Sequence, residues 1–197
     1  MKTNYESFNI GKRFNITSST DQTPSSDRIN IYMDRGAFGS GEHETTQSCI
    51  EQIETMCKDK VLKILDLGSG TAILTIAALL LSSGHAWCLD VEPGAIESAQ
   101  RNCRFNGVDK NVTHVCGTLN KLDETGFNII LANIYGDILL DVADDLVEKA
   151  APGALILLSG ILWEYNFDVR QRYQQLGCKL IKNRLLNEFS TILLLKQ

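Results

Sequence analysis

Two glycines at the end of an apolar run are the residues that most directly indicate chemistry in this chain. Residues 61–67 have the length of a buried parallel strand, and Gly68-Ser69-Gly70 follow them at once. Glycine permits a sharp turn and a close backbone approach to a ligand because it has no Cβ. Asp90 lies 22 residues beyond Gly68, near the spacing at which an acid binds ribose hydroxyls. The pattern therefore predicts a site for a ribose-bearing ligand at Gly68, Gly70 and Asp90.

The same loop argues against the common nucleotide cofactors. A dinucleotide site has the pattern G-x-G-x-x-G, and Ile73 stands where the third glycine would be. A triphosphate-binding loop ends in Gly-Lys-Ser/Thr, and no such tripeptide follows Gly70. NAD, FAD and nucleoside triphosphates are therefore disfavoured, and a nucleoside without a pyrophosphate remains.

A second glycine-rich loop precedes a predicted amphipathic helix over residues 44–56. The residues of this loop include Gly36, Phe38, Gly39 and Gly41. A helix start collects unpaired backbone N–H groups, which suit a carboxylate or a hydroxyl-rich ligand. The alternative is that Thr45 and Thr46 only cap and begin the helix, and that His43 is a solvated loop residue.

Alternating strands and helices position these residues, so the pattern predicts an α/β fold built on a parallel sheet. Predicted strands cover residues 29–33, 61–67, 86–91, 112–116, 127–134, 154–159, 178–183 and 189–195, and a further strand is expected near 12–17. Predicted helices after 44–56 cover residues 72–82, 93–106, 137–150 and 164–176, and Pro152-Gly153 is expected to form a turn.

Two polar residues at strand ends need a choice between interpretations. Asn133 closes the strand 127–134 and would lie beside the Gly68 loop if that strand neighbours 61–67. Its alternative role is to cap the helix that follows. Glu92 comes two residues after Asp90, and strand alternation would place both on one side. We favour Asp90 as the ribose ligand and Glu92 as its neighbour.

Length and composition indicate a soluble globular protein. The chain has 197 residues, 44% of them hydrophobic and 22% charged, which suits one domain with a sizeable core. We expect a lead-in over 1–28 and the main domain over 29–197. The apolar run near 72–81 is shorter than the ~18–20 residues of a membrane span, and residues 1–15 have no apolar core of a signal peptide. The expected location is the cytoplasm, with no membrane partner.

Charge and cysteine usage narrow the partners further. The net charge is −5 and no basic cluster occurs, which argues against nucleic acid as a partner. Six cysteines are scattered with no C-x-x-C pair or nearby histidine, so neither a metal site nor a disulfide framework is predicted. The substrate is expected to be a protein or a small molecule.

Four separated motifs together carry a family resemblance. LDLGSG resembles the cofactor loop of class I S-adenosylmethionine methyltransferases, in which Ala72 stands where a third glycine is common. AFGSGEHETT is similar to the pattern A-F-G-T-G-x-H-x-T-T of the PrmA family of bacterial ribosomal-protein methyltransferases. LANIY and LLSGIL follow in the family's order, so the resemblance covers about residues 28–180.

The resemblance implies a Rossmann-like, doubly wound, seven-stranded and mostly parallel sheet with helices on both faces. It implies S-adenosyl-L-methionine as the cofactor. The methyl acceptor that it implies is an amine of a protein, such as a ribosomal protein, or of a small molecule. The resemblance, together with the position of Glu92 near Asp90, gives the residues expected at the cofactor or the reacting amine: Phe38, Gly39, Gly41, Thr46, Gly68, Gly70, Asp90, Glu92, Thr118 and Asn133. Of these, Asn133 and Thr46 are the expected catalytic residues.

Family members carry a separate N-terminal recognition domain, whereas 36 residues precede the AFGSG motif in this sequence. We therefore expect the catalytic part without that domain. A second hypothesis is an inactive S-adenosylmethionine-binding module or partner subunit, which the intact LANIY and AFGSG motifs argue against. A third, a nicotinamide-dependent oxidoreductase, is disfavoured by Ile73.

Overall fold

The structure is a computed structural model that describes residues 7–18, 27–34, 41–57 and 61–197. The strands are β1 (Phe8–Ile10), β2 (Phe14–Ser18), β3 (Ile29–Met33), β4 (Val61–Leu67), β5 (Ser83–Asp90), β6 (Val112–Cys116), β7 (Phe127–Asn133), β8 (Ala150–Leu162), β9 (Cys178–Leu185) and β10 (Phe189–Lys196). The helices are α1 (Glu44–Met56), α2 (Ile73–Leu81), α3 (Pro93–Phe105), α4 (Gly136–Asp141), α5 (Ala143–Lys149) and α6 (Trp163–Gln175), with short 3-10 helices at Asp109–Asn111 and Leu119–Lys121.

A seven-stranded sheet forms the centre of the fold, in the order β6-β5-β4-β7-β8-β10-β9. The pairs from β6 to β8 are parallel, whereas β10 is antiparallel to both β8 and β9. Helices α1, α2 and α3 contribute to the apolar core on one face, and α4, α5 and α6 to the core on the other. The predicted doubly wound, mostly parallel sheet is confirmed. β4 pairs with β7, which was the condition for Asn133 to lie beside the Gly68 loop.

Alternation along β4 explains how the sheet serves two cores. Leu62 and Ile64 belong to the core with α1, α2 and α3, whereas Leu65 and Leu67 belong to the opposite core. A strand buried on both faces is apolar at nearly every position, as its sequence indicates. Asp66 is the exception: it is 1% exposed, and its side chain meets the first turns of α2.

A small sheet in the order β1-β2-β3 packs beside this core. Glu54, near the end of α1, accepts the backbone N–H groups of Lys12 and Arg13. Asn106, after α3, accepts the N–H of Tyr32 and donates to its carbonyl oxygen. Because β1 and β2 pair with a strand of the expected main domain, the small sheet spans the predicted boundary at residue 28, which stays a prediction.

Two details of the predicted elements are wrong. The single helix expected over 137–150 is two helices that meet at Val142. The N–H of Val142 makes the last hydrogen bond of α4, and its carbonyl oxygen accepts the first hydrogen bond of α5. The turn expected at Pro152-Gly153 lies inside β8. The pairing of β7 with β8 shifts register between Phe127 and Ile129. Pro152 and Gly153 are tolerated there because residues in such a bulge do not have to make the hydrogen bonds of the ladder.

The six cysteines are free, and all but Cys116 are buried, where a free cysteine packs as a small apolar residue. Within the described part of the chain, no helix has the length and apolar character needed to cross a membrane.

Candidate functional site

The Gly68 loop is fixed by backbone hydrogen bonds between neighbouring strand ends. The N–H groups of Gly68 and Ser69 both donate to the carbonyl oxygen of Leu89, at 2.8 and 2.9 Å. Gly68 has φ +70°, and a Cβ built there would lie 2.3 Å from Cγ2 of Ile134. The close approach of Ile134 and the left-handed backbone together explain why glycine is needed here.

Asp90, at the end of β5, ties this loop to two other turns. Its Oδ2 accepts the N–H of Gly70 at 2.8 Å, and its Oδ1 accepts the N–H of Glu92 at 3.0 Å. Its backbone carbonyl accepts the N–H of Gly117 at 2.8 Å. Each carboxylate oxygen can accept two hydrogen bonds, so Asp90 retains capacity for the hydroxyls of a ligand.

Glu92 does not follow the strand alternation from which its position was inferred. The strand ends at Asp90, and Glu92 is the exposed N-cap residue of α3, with no side-chain cap hydrogen bond. The inference that both carboxylates leave one side of a strand is therefore wrong, because the chain turns between them. Its part in cofactor binding stays a prediction.

Thr118 lies in the turn after β6, next to the Gly117 N–H that reaches Asp90. It is exposed, and its Oγ1 donates to Oδ1 of Asn120 at 2.6 Å. The turn that carries Thr118 therefore lies beside Asp90. This is the position expected for a residue that contacts the base of a bound nucleoside. This role also stays a prediction.

Asn133 and Thr46, 87 residues apart, meet at the carboxyl ends of the strands. The Nδ2 of Asn133 donates to Oγ1 of Thr46 at 3.3 Å. Asn133 pairs in register with Ser159 of β8, and α4 takes Tyr135 as its N-cap residue. Asn133 therefore does not cap that helix, and its contact with Thr46 uses its Nδ2, so its Oδ1 can accept a hydrogen bond from a ligand.

The first turn of α1 gives Thr45 and Thr46 different roles. His43 is the N-cap residue; its Nδ1 lies 3.4 Å from the N of Thr45 and 2.8 Å from its Oγ1. Thr45 thus belongs to the cap, as the alternative expected, while Thr46 faces Asn133. Gly41 is buried, and a Cβ there would lie 3.0 Å from Cδ1 of Ile73, at the start of α2. Phe38 and Gly39 lie outside the described residues.

Asp66 is a polar residue of the site region that the sequence analysis did not single out. Its Oδ2 accepts from Oγ1 of Thr75 at 2.7 Å, just below the glycine loop. Burial raises the pKa of Asp66 to about 6, and the nearby charge of Asp90 adds to this rise. Hydrogen bonds from Thr75 act in the opposite direction and lower the pKa. The available signal was a carboxylate in a strand that is otherwise buried and apolar.

The loop has the features of a cradle for a nucleoside with a short polar tail. Gly68, Gly70 and Ala72 all have positive φ, which curls the backbone between β4 and α2. Ser69 Oγ is buried and finds no hydrogen-bond partner among the described residues. Asp90 lies at one end of this turn and Asn133 with Thr46 at the other side, so the residues present fit S-adenosylmethionine.

This strand order, glycine loop and terminal acid define a class I S-adenosylmethionine-dependent methyltransferase fold. The family model described as "Ribosomal protein L11 methyltransferase (PrmA)" matches residues 1–197, and the chain belongs to that family. Family membership confirms the predicted resemblance and the expected cofactor, S-adenosylmethionine.

Individual relatives agree with this assignment. The ribosomal protein L11 methyltransferase of Trichlorobacter lovleyi is 37% identical over 179 residues, which are 87% of this chain and 58% of that protein. That of Pelobacter propionicus is 35% identical, over 83% of this chain and 54% of its own length. The chain thus spans a little over half the length of these curated relatives.

A solved structure supports the fold. The crystal structure of a ribosomal protein L11 methylase from Lactobacillus delbrueckii subsp. bulgaricus has a TM-score of 0.88 and 23% identity, and the match covers 98% of this chain and 100% of that one. The fold predicted from the motifs is therefore found in an experimentally determined structure.

Proposed function

We propose that this chain transfers a methyl group from S-adenosylmethionine to an amino group of a protein. The observation that carries the proposal is the hydrogen bond between Asn133 and Thr46 beside the Gly68 loop. It places an amide oxygen, which can accept from an amine, next to a loop whose shape fits the cofactor. The relatives are named as methyltransferases of ribosomal protein L11, so that protein is the first candidate acceptor, ahead of a small-molecule amine.

Bound S-adenosylmethionine supplies a methyl group that is already activated on a sulfonium centre. The protein must therefore mainly align the acceptor amine and exclude water, and such positioning can lower a barrier by up to ~7–11 kcal/mol. Thr46 holds Nδ2 of Asn133, which leaves Oδ1 of the same amide to accept a hydrogen bond from the amine. This contact directs the nitrogen lone pair away from Asn133.

The acceptor amine must also be neutral to react. A lysine side chain has a reference pKa of ~10.4, and transfer into a partly desolvated site lowers the pKa of an amine. Ile134, half-buried next to Asn133, supplies an apolar surface for this. Asn133 carries no charge, so it accepts from the amine without stabilising the ammonium form as a carboxylate would.

The proposed acceptor also bears on the location of the reaction and on the alternative function. A ribosomal protein as acceptor places the reaction in the cytoplasm. The alternative, an inactive module that only binds the cofactor, does not need an amide held by a threonine beside the loop. The proposed role therefore accounts for one more contact than the alternative does.

Methyl transfer to purified ribosomal protein L11 with labelled S-adenosylmethionine tests the proposal, with cofactor affinity measured by calorimetry. Asn133→Ala should lower turnover by roughly 10²-fold, the size of effect seen when one positioned hydrogen-bonding group is lost from an active site, and should leave cofactor affinity nearly unchanged. Thr46→Val should lower turnover by about 3- to 10-fold, the worth of one neutral hydrogen bond.

Asn128→Ala is the matched control, because Asn128 is an exposed asparagine at the opposite end of the same strand. It should leave turnover at the wild-type level. Cofactor binding without methyl transfer to L11 or to any other protein amine would instead support the binding module.

A further inference from the structure

Large apolar side chains are exposed beside Asn133. Of the nine such side chains in the described part of the chain, four are Tyr135, Ile138, Trp163 and Phe167. Tyr135 is 64% exposed, Trp163 54% and Phe167 61%. Exposed aromatic residues that cluster are a common mark of an interaction surface.

These side chains lie on two elements that pack against each other. The turn after β7 is bound to the end of β8, since the N–H of Ile134 donates to the carbonyl oxygen of Ser159 at 3.1 Å. A Cβ built on Gly136 would lie 2.7 Å from Cβ of Tyr165, so α4 rests directly on α6. Trp163 and Phe167 are four residues apart on α6 and share one side of it. Tyr135 and Trp163 each follow the carboxyl end of one of the paired parallel strands β7 and β8, the edge of the sheet at which Asn133 lies, and Phe167 lies one helical turn further along α6.

Exposed carboxylates lie on the same two segments as these rings. Asp137, Glu164 and Asp168 are exposed, and neither segment 133–141 nor segment 159–169 contains a lysine or arginine. The next cation along α6, Arg170, donates from Nε to Oδ1 of Asn166 at 2.9 Å. Its guanidinium lies 5.9 Å from the ring of Phe167, so one cation of the chain itself lies beside this ring, and the three exposed carboxylates outnumber it.

Charge decides which occupant fits this surface. We call it the acidic-aromatic face and define it by Tyr135, Asp137, Trp163, Glu164, Phe167 and Asp168. A second copy of the chain, with a net charge of −5, would bring like charge to it, and a nucleic acid would bring phosphates. Lysine and arginine side chains match it, because their charged ends bind carboxylates and ring faces while their stems cover apolar surface.

We propose that the acidic-aromatic face binds a lysine- and arginine-rich segment of the protein substrate, the segment that presents its amine to Asn133. This inference rests on the proposed function, because it identifies the occupant as part of the methyl acceptor. Attraction by the carboxylates would speed encounter and make binding dependent on salt. The rings would supply most of the affinity, as desolvated aromatic residues do at interfaces.

Fluorescence anisotropy tests the proposal with labelled peptides of equal length, each having one central lysine flanked by lysine and arginine, by serine, or by glutamate. The full chain, saturated with S-adenosylhomocysteine, should bind the basic peptide most tightly, and added salt should weaken that binding. Phe167→Ser should raise the Kd by roughly 10- to 30-fold. The pair Glu164→Gln and Asp168→Asn should raise it by about 3- to 10-fold and flatten the salt dependence.

The matched controls are Phe105→Ser and Glu97→Gln, which change an exposed ring and an exposed carboxylate on α3. Both should bind the basic peptide as the wild type does. Equal Kd values for the three peptides, or no effect of Phe167→Ser, would overturn the proposal. A dimer that Phe167→Ser dissociates, or tighter binding of an RNA oligonucleotide than of the basic peptide, would do so as well.

The two proposals fail in different measurements. Absence of methyl transfer to any protein by the wild type would refute the proposed function, whatever the peptide affinities. Wild-type transfer with an unaltered Kd in the Phe167→Ser and carboxylate variants would refute only the role of the acidic-aromatic face.

Discussion

The carboxylate of Asp90 accepts the backbone N–H of Gly70 at 2.8 Å. The acid expected to bind the cofactor ribose therefore also holds the glycine loop in place, and the two roles share one side chain. A hydrogen bond to a charged acceptor is worth about 1.5–3 kcal/mol, so the loop loses a strong constraint when this carboxylate is removed.

Asp90→Ala should weaken S-adenosylmethionine binding by roughly 10- to 100-fold and lower the free energy of unfolding by about 1–3 kcal/mol. Glu92→Ala, which removes an exposed carboxylate two residues away, should change the unfolding free energy by less than about 0.5 kcal/mol and weaken S-adenosylmethionine binding less than Asp90→Ala does. Calorimetry and urea unfolding measure both quantities. A larger loss of affinity in the Glu92 variant would reverse the assignment of the ribose ligand.

Gly68 and Ile134 should be energetically coupled, because Cγ2 of Ile134 occupies the position that a Cβ on residue 68 would need. Gly68→Ala should destabilise the protein and weaken cofactor binding. Adding Ile134→Ala removes the steric clash but not the left-handed strain, so the double variant should be at least about 1 kcal/mol more stable than the sum of the single effects predicts. A double-mutant cycle by urea unfolding measures this coupling, and strict additivity would contradict it.

Ala72 is the one non-glycine residue with positive φ among the described residues, at φ 62° and ψ 21°. The left-handed conformation costs an L-residue about 1–2 kcal/mol, so Ala72→Gly should relieve strain. Ala77→Gly, at an equally buried position inside α2, should instead cost about 1 kcal/mol. Urea unfolding should find the Ala72 variant about 2 kcal/mol more stable than the Ala77 variant. Equal losses would show that Ala72 carries no strain.

Asp66 should make the protein less stable as the pH rises through its raised pKa. Burial raises the pKa of Asp66 from 3.8 to about 6, so between these values the folded state keeps a proton that the unfolded state has lost. Unfolding stability therefore falls with rising pH in this window. At about 1.4 kcal/mol per pH unit, the contribution amounts to roughly 3 kcal/mol.

Asp66→Asn should remove this contribution, so the difference in unfolding free energy between variant and wild type should shift in favour of the variant from pH 4 to pH 7. Urea unfolding at a series of pH values gives that difference. Asp109→Asn, at an exposed aspartate, should show no such shift. A pH-independent difference for Asp66→Asn would mean that the pKa of Asp66 is the same in the folded and the unfolded protein.

Periodicity in the sequence was sufficient to predict most helices and strands but not the contacts between them. The apolar run 61–67 and the helix 44–56 were predicted with their observed bounds, because their apolar patterns are clear and glycines adjoin them. The break at Val142 and the strand through Pro152-Gly153 were not, since both depend on tertiary pairing that overrides local preference. A bulge cannot be recognised from one strand alone.

The site shows the same division. Strand order brings Asn133 beside the Gly68 loop, as was expected for the carboxyl ends of neighbouring parallel strands. The hydrogen bond to Thr46 depends on how α1 crosses the sheet, which no local pattern encodes. The role of Asp66 was not predicted, because its burial and its contact with Thr75 follow from the packing of α2 on β4.

The position of β10 between β8 and β9 has a consequence for folding. The strand that completes the pairing of β8 comes after β9 in the chain, so β8 remains an open edge until the later strands have formed. This edge is 13 residues long and mostly apolar, and an unpaired apolar strand is a template for association with other chains. The interval before β10 docks is therefore the stage at which a nascent or refolding chain is most exposed to aggregation, and a holding chaperone would protect it then.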